Sequence, residues 1–295
     1  MNYKPHKALS ELAHPSSSLL RLGAGVILFI AVFLALAMLL NEAIWAMIPA
    51  ETEARWAEDL EMATTPIAVL ISLYSFGITI IALALCMRVA HRRSWISTLG
   101  APTRAFSQFI AVTKGLLIFN AVLFLLPSPE GLQLSLHMAL GLWLLYLPLT
   151  LIGVLIQTSA EELVFRGYLQ SQLAARFKSA KVWIVLPSLL FGMLHFNPNV
   201  DETAAWIVVV WAFCFGLAAA DLTARTGTLG AAIALHFVNN AFVMAFVAAE
   251  NDFDGAALFT MPFDISDTDL MITWMPIEFM ILLCGWLIAR LACRV

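Results

Sequence analysis

The stretch LIGVLIQTSAEELVFRGYLQ, residues 151–170, decides how the rest of the chain is read. Its first half continues an apolar run that begins near Leu136. Its second half places Glu161, Glu162 and Arg166 within six residues. About 20 consecutive apolar residues are enough to cross the hydrocarbon core of a bilayer as a helix. An ionisable side chain inside such a segment costs about 2.5–3.5 kcal/mol on insertion scales, and it usually marks a functional site. On a helix, Glu162 and Arg166 are four residues apart and share a face, so they can pair. Glu161 points about 100° away and stays available.

Working outward, the chain predicts further spans at Leu20–Ile48, Thr65–Met87, Gln108–Leu126, Leu136–Gln157, Val182–Phe196, Ala204–Ala220, Leu229–Ala249 and Leu270–Leu291. The expected fold is an all-α polytopic membrane protein of about eight transmembrane helices. The first run is longer than a signal-peptide core and reads as a retained span. From Leu136 to Phe177 a single helix would run about 60 Å, twice the hydrocarbon thickness. Pro148 therefore predicts a break, with Leu136–Leu147 as a separate or angled piece. Composition agrees with the membrane assignment: 61% of the 295 residues are hydrophobic and only 12% charged. Those proportions exclude a disordered tail, a disulfide-stapled secreted scaffold and a basic nucleic-acid binder. Cys86, Cys214, Cys284 and Cys293 show no paired spacing.

The net charge of −4 conceals a strong separation. Bases gather at the N-terminus, at Arg88–Arg104, at Arg176–Lys181, at Arg225 and at the C-terminus. Acids gather at Glu51–Glu61, Glu130, Asp201–Glu202 and Glu250–Asp269. The sign alternates at every predicted crossing, and cytoplasmic loops carry the excess of Lys and Arg. Both termini are therefore expected in the cytoplasm. On this assignment 13 bases face inside against Glu11 and Asp221, and 15 acids face outside against Arg55. The expected organisation is a cytoplasmic segment 1–19, three N-terminal helices in 20–135, a core at 136–249, an acidic external loop at 250–269, and a last helix with the C-terminus at 270–295.

A short list of polar residues remains at membrane depth. Lys114 can snorkel to the interface, and Glu278 is a lone acid in the last span. The others form three clusters: Glu161-Glu162-x-x-x-Arg166, Phe191-x-x-x-His195, and His236-x-x-x-Asn240. Counted from Arg176, Lys181 and Arg225, Glu161, His195 and His236 lie about 22, 21 and 16 Å deep at 1.5 Å per residue. A carboxylate, two imidazoles and an amide at one depth suit hydrolysis. The carboxylate takes a proton from water, an imidazole orients that water, and the remaining donors hold the oxyanion.

These three elements, in this order, resemble the signatures of the CAAX-protease and bacteriocin-processing (CPBP) family. This family comprises the type II CAAX prenyl endopeptidases and their bacterial, abortive-infection-like relatives. The resemblance spans about Leu144–Ala248, and Gly227-Thr228-Leu229-Gly230 is similar in style. It implies an intramembrane endopeptidase in which Glu161 and His195 activate water. His236 and Asn240 would form the oxyanion site, with Glu162 and Arg166 organising the others. It also implies a membrane-embedded or lipidated peptide substrate, no nucleic acid, and residence in a bacterial inner membrane with the site open to the cytoplasm. No cofactor is favoured, since His-Glu-x-x-His is absent. If zinc is bound, Glu161, His195 and His236 would be its ligands. Two other functions use the same charges: a proton-coupled transporter, and a non-catalytic immunity or scaffold protein. Inverted repeats would favour the transporter, and none is seen.

Overall fold

A computed structural model describes residues 3–126, 133–262 and 267–295. A short helix α1 (Lys7–Ala13) precedes α2 (Leu19–Trp45), whose first turn is capped by Ser18 accepting from the Arg21 N–H. The 27 residues of α2 extend about 40 Å. An acidic helix α3 (Glu53–Met62) ends at Ala63, which sits in the left-handed region. Thr65 then caps α4 (Pro66–Ser75), and Phe76 separates it from α5 (Gly77–Ala90). Together α4 and α5 make a membrane-length segment. Pro102 opens α6 (Pro102–Phe124) at a position where its missing N–H costs nothing.

The decisive stretch lies in α7 (Leu140–Glu162), a π-helical segment (Leu163–Leu169) and α8 (Gln170–Arg176), which run on without interruption. Here the structure corrects the expected separate piece at Leu136–Leu147. Leu136 belongs to a short strand β1 (Ser135–Leu136), and the helix starts at Leu140 and passes through Pro148. A membrane helix tolerates an internal proline when neighbouring groups occupy the disturbed carbonyls. The carbonyl that Pro148 leaves without its usual donor is that of Leu144; beside it the Tyr74 hydroxyl donates to the Leu149 carbonyl at 3.2 Å and ties this part of the helix to α4, and the Thr150 hydroxyl donates to the Tyr146 carbonyl at 3.1 Å.

The next elements are α9 (Ala180–Met193), α10 (Glu202–Thr226) and α11 (Gly230–Ala241), the last followed by a second π-helical segment (Phe242–Phe246). Asp201 caps α10 by accepting from Thr203 and Ala204, and Gly227, at φ 72°, ends it. The predicted span Leu229–Ala249 stops at Phe246, because Val247–Ala249 form strand β2. Strand β3 (Phe259–Met261) pairs antiparallel with β1 and parallel with β2. This small sheet was not expected from the sequence; its β1–β3 pair joins segments more than 100 residues apart. The last helix is α12 (Thr268–Cys293).

The fold is therefore an all-α polytopic membrane protein. Among the described residues, six helical stretches are long and apolar enough to cross a bilayer, and Ala180–Met193 and Gly230–Phe246 are shorter apolar helices. The expected acid Glu130 and residues 263–266 of the acidic loop lie outside the described residues.

Small residues set how closely the helices approach. Cβ atoms at Gly192 and Gly216 would collide with α10 and α9 respectively, and one at Gly230 would meet the Ala105 backbone of α6. Close backbone approach through small residues is the usual basis of helix packing in lipid. The main core gathers Leu163 and Phe165 of the π segment with Phe191, Phe215, Leu235 and Leu282 from α9–α12. Large apolar side chains such as Leu20, Met38, Leu145 and Met280 remain on the outside, as a lipid-facing perimeter requires.

Candidate active site

The site forms where the end of α7 meets α11. Glu162 is fully buried and accepts from two groups through one oxygen, Oε1. Arg166 Nη1 donates at 3.1 Å, and His236 Nδ1 lies at 2.9 Å. The side chains of Arg166 and Glu162 are 1% and 0% exposed, so this is a desolvated ion pair. Such a pair stands only if geometry and further hydrogen bonds offset the loss of hydration. The second partner on Glu162 is His236, and the guanidinium of Arg166 also lies 4.4 Å from the Phe191 ring centroid. That distance suits a cation–π contact.

Glu161, on the adjacent face, is held differently. Gln157 Nε2 donates to Glu161 Oε1 at 2.7 Å, and Asn240 Nδ2 donates to Gln157 Oε1 at 2.9 Å. The other oxygen, Glu161 Oε2, is buried and accepts no hydrogen bond from the described residues. It lies 3.6 Å from His236 Nε2, too far for a direct hydrogen bond. His236 thus stands between the two carboxylates, with one ring nitrogen on Glu162 and the other turned to Glu161.

His195 reaches the site through Phe191. Its Nδ1 hydrogen-bonds the Phe191 carbonyl at 2.8 Å, and the two rings are 4.6 Å apart. A carbonyl can only accept, so Nδ1 carries the proton and the neutral ring keeps a lone pair on Nε2. The Phe191 ring stands edge-on to His236 at 6.0 Å. Phe191 therefore touches Arg166, His195 and His236, one group from each of the three sequence clusters.

The structure brings these residues together as two hydrogen-bonded groups, Glu162–Arg166–His236 and Glu161–Gln157–Asn240, which approach to 3.6 Å between His236 and Glu161. His195 is adjacent to them, with no hydrogen bond or ion pair to Glu161 among the described residues. Gln157 was missed by a search confined to charged groups and their motif partners. Its signal was an amide four residues before Glu161 in an otherwise apolar run. For zinc, no group of three His, Cys, Asp or Glu side chains is placed to hold a metal among the described residues. Glu161 and His236 could supply two ligands, but His195 does not converge with them. The trio as placed does not fit zinc.

Residues 142–242, which hold all three clusters, match the family model for type II CAAX prenyl endopeptidase Rce1-like proteins. The chain contains an Rce1-like segment. This Rce1-like segment includes both hydrogen-bonded groups and His195. An uncharacterised protein of Bacillus subtilis (strain 168), YyaK, is 35% identical over 123 residues. That similarity covers 41% of this chain and 40% of the relative, so the chain spans well under half the length of the curated protein it matches. No solved structure matches.

Proposed function

We propose that the protein is an intramembrane endopeptidase that hydrolyses a peptide bond in a membrane-associated substrate, of which a lipidated or CAAX-like peptide is one form. The observation that carries this reading is the buried pair Glu161 Oε2 and His236 Nε2, 3.6 Å apart with no bond between them. Water placed between them gives its proton to Glu161 Oε2 while its oxygen attacks the scissile carbonyl carbon. The carbonyl π electrons move to oxygen. The oxyanion is held by the Asn240 amide and by an N–H on His236 Nε2. Collapse re-forms the carbonyl, breaks the C–N bond, and returns the proton from Glu161 to the leaving amine. The resemblance assigns His195 to orienting the water as well, a role that requires its free Nε2 to turn toward Glu161 and His236.

Gln157 holds Glu161 Oε1, which leaves Oε2 as the basic oxygen. Glu162 and Arg166 fix the His236 ring. The alternating charge of the loops supports cytoplasmic termini and access from the cytoplasmic side of a bacterial inner membrane. The Rce1-like match supports protease chemistry.

The test is cleavage of a quenched-fluorescent farnesylated peptide by protein reconstituted in liposomes. Glu161→Gln is expected to lower kcat at least 1,000-fold, the rate carried by loss of the base together with water placement. Full activity in Glu161→Gln would overturn the mechanism. Cleavage of an unprenylated control at the same rate would remove the lipidated form of the substrate while leaving the hydrolysis standing.

A further inference from the structure

Glu278 is the intramembrane acid that the hydrolytic network does not use. It lies on α12 and lines a cavity of about 120 Å³ between α6, α11 and α12. Among the described residues its carboxyl makes no hydrogen bond and no ion pair. Two carboxamides share the cavity, Asn120 of α6 and Asn239 of α11. Asn120 Nδ2 donates to the Leu116 carbonyl at 2.9 Å, and Asn239 Nδ2 donates to Asn240 Oδ1 at 3.1 Å. Both amides thus spend an N–H on the protein. Their oxygens accept nothing among the described hydrogen bonds. The cavity therefore presents a carboxyl and two amide oxygens, and it is otherwise walled by apolar groups including Phe119, Phe215 and Phe242.

We propose that this cavity is a second ligand site, which takes the ammonium head of a primary-amine amphiphile with Glu278 as its counter-ion. An ammonium has three N–H donors and no acceptor, so the Glu278 carboxylate and the two amide oxygens can between them take all three. Aromatic ring faces add attraction for an organic cation in a dry site. A bare alkali cation fits less well: 120 Å³ is about four times the share of one liquid water, so apolar volume would stay unfilled. An alkyl chain attached to the ammonium fills it. Glu278, Asn120 and Asn239 form no part of the hydrolytic machinery, so the proposal does not rest on the protease reading. Among the described residues the cavity is linked to that machinery by the amide chain from Asn239 through Asn240 and Gln157 to Glu161, and by Phe215, whose ring lies 4.8 Å from that of His236.

The experiment is thermal unfolding of the full-length protein in lipid nanodiscs, titrated with dodecylamine at pH 7. Dodecanol, dodecyltrimethylammonium and sodium chloride serve as controls. Dodecylamine is expected to raise the unfolding midpoint saturably, with dodecanol and sodium chloride at least tenfold weaker. Dodecyltrimethylammonium, which has no N–H, is expected to be weaker than the primary amine. Glu278→Gln should weaken dodecylamine at least tenfold, whereas Glu161→Gln should leave its effect intact. Val243→Phe, which fills the cavity and keeps the carboxyl, should also block the amine, and it serves if Glu278→Gln does not fold. Equal effects of dodecanol, equal effects of sodium chloride, or unchanged amine binding in the folded variants would overturn the site.

Discussion

Gln157 carries no charge, yet its amide joins α7 to α11 by accepting from Asn240 and donating to Glu161. A hydrogen bond to a charged group is worth about 1.5–3 kcal/mol. If it also fixes which Glu161 oxygen is basic, its loss appears mainly in kcat. Gln157→Ala is expected to lower kcat about 10- to 100-fold with little change in KM, read in the liposome cleavage assay. Gln157→Glu should be worse, because a second carboxylate would sit against the first. A KM effect alone would assign Gln157 to substrate binding. At this scale the sequence was partly legible. Glu161, Glu162, Arg166, His236 and Asn240 were all visible as polar groups at membrane depth. Their partners were not: Glu162 was expected to serve Arg166 and Glu161, and the structure also gives it His236. Spacing along one helix places a residue on a face, but a contact between helices depends on rotation about both axes.

At the scale of elements, the π-helical segment Leu163–Leu169 carries Arg166 and Tyr168 into the core. π-helical turns within α-helices are frequent at functional sites, where the changed register re-aims side chains. Here the register brings Arg166 under the Phe191 ring while it still reaches Glu162. Removing one partner of a buried ion pair strands the other and costs about 3–5 kcal/mol. Arg166→Ala is therefore expected to unfold in detergent at a clearly lower temperature. The double variant Glu162→Gln with Arg166→Met should recover most of that stability but not the activity, since His236 then loses its carboxylate partner. Thermal unfolding monitored by tryptophan fluorescence, beside the cleavage assay, separates the two effects. A stable but inactive Arg166→Ala would show that the pair serves chemistry alone. The expected break at Pro148 belongs to this scale too. Proline removes one N–H, but whether a helix breaks depends on packing against neighbouring segments, and local sequence does not contain them.

At the scale of the whole molecule, the N-terminal segment is fastened to the helices that carry the site. Tyr3 donates to Asp221 at 2.8 Å, and His6 stacks on Trp183 with ring centroids 4.8 Å apart. Burial pushes the His6 imidazole down to about 4 from the ordinary 6.5. Released from its site, His6 would titrate near 6.5. The undocked segment therefore binds more protons between pH 6.5 and 4, so docking is complete above pH 6.5 and weakens as pH falls toward 4. A shift of this size corresponds to about 3 kcal/mol. Hydrogen exchange at residues 4–13, corrected for intrinsic rates, should be slow at pH 7.5 and markedly faster at pH 4.5. His6→Phe keeps the stack and should abolish this dependence. Protection unchanged between the two pH values in the wild type would show that docking does not require a neutral His6.

By itself the sequence determined that the chain is a helical membrane protein, where its apolar segments lie, and which few polar residues remain at depth. Those properties follow from composition and periodicity, because a bilayer demands internally satisfied backbone and apolar surface of fixed length. The tertiary structure alone decided that Leu140–Arg176 runs unbroken through Pro148, and that strands β1, β2 and β3 meet. It alone placed His236 between two glutamates with Phe191 beside it, and made Gln157 part of the site. Most of these depend on packing between segments distant in the chain, which composition and spacing along one helix do not encode.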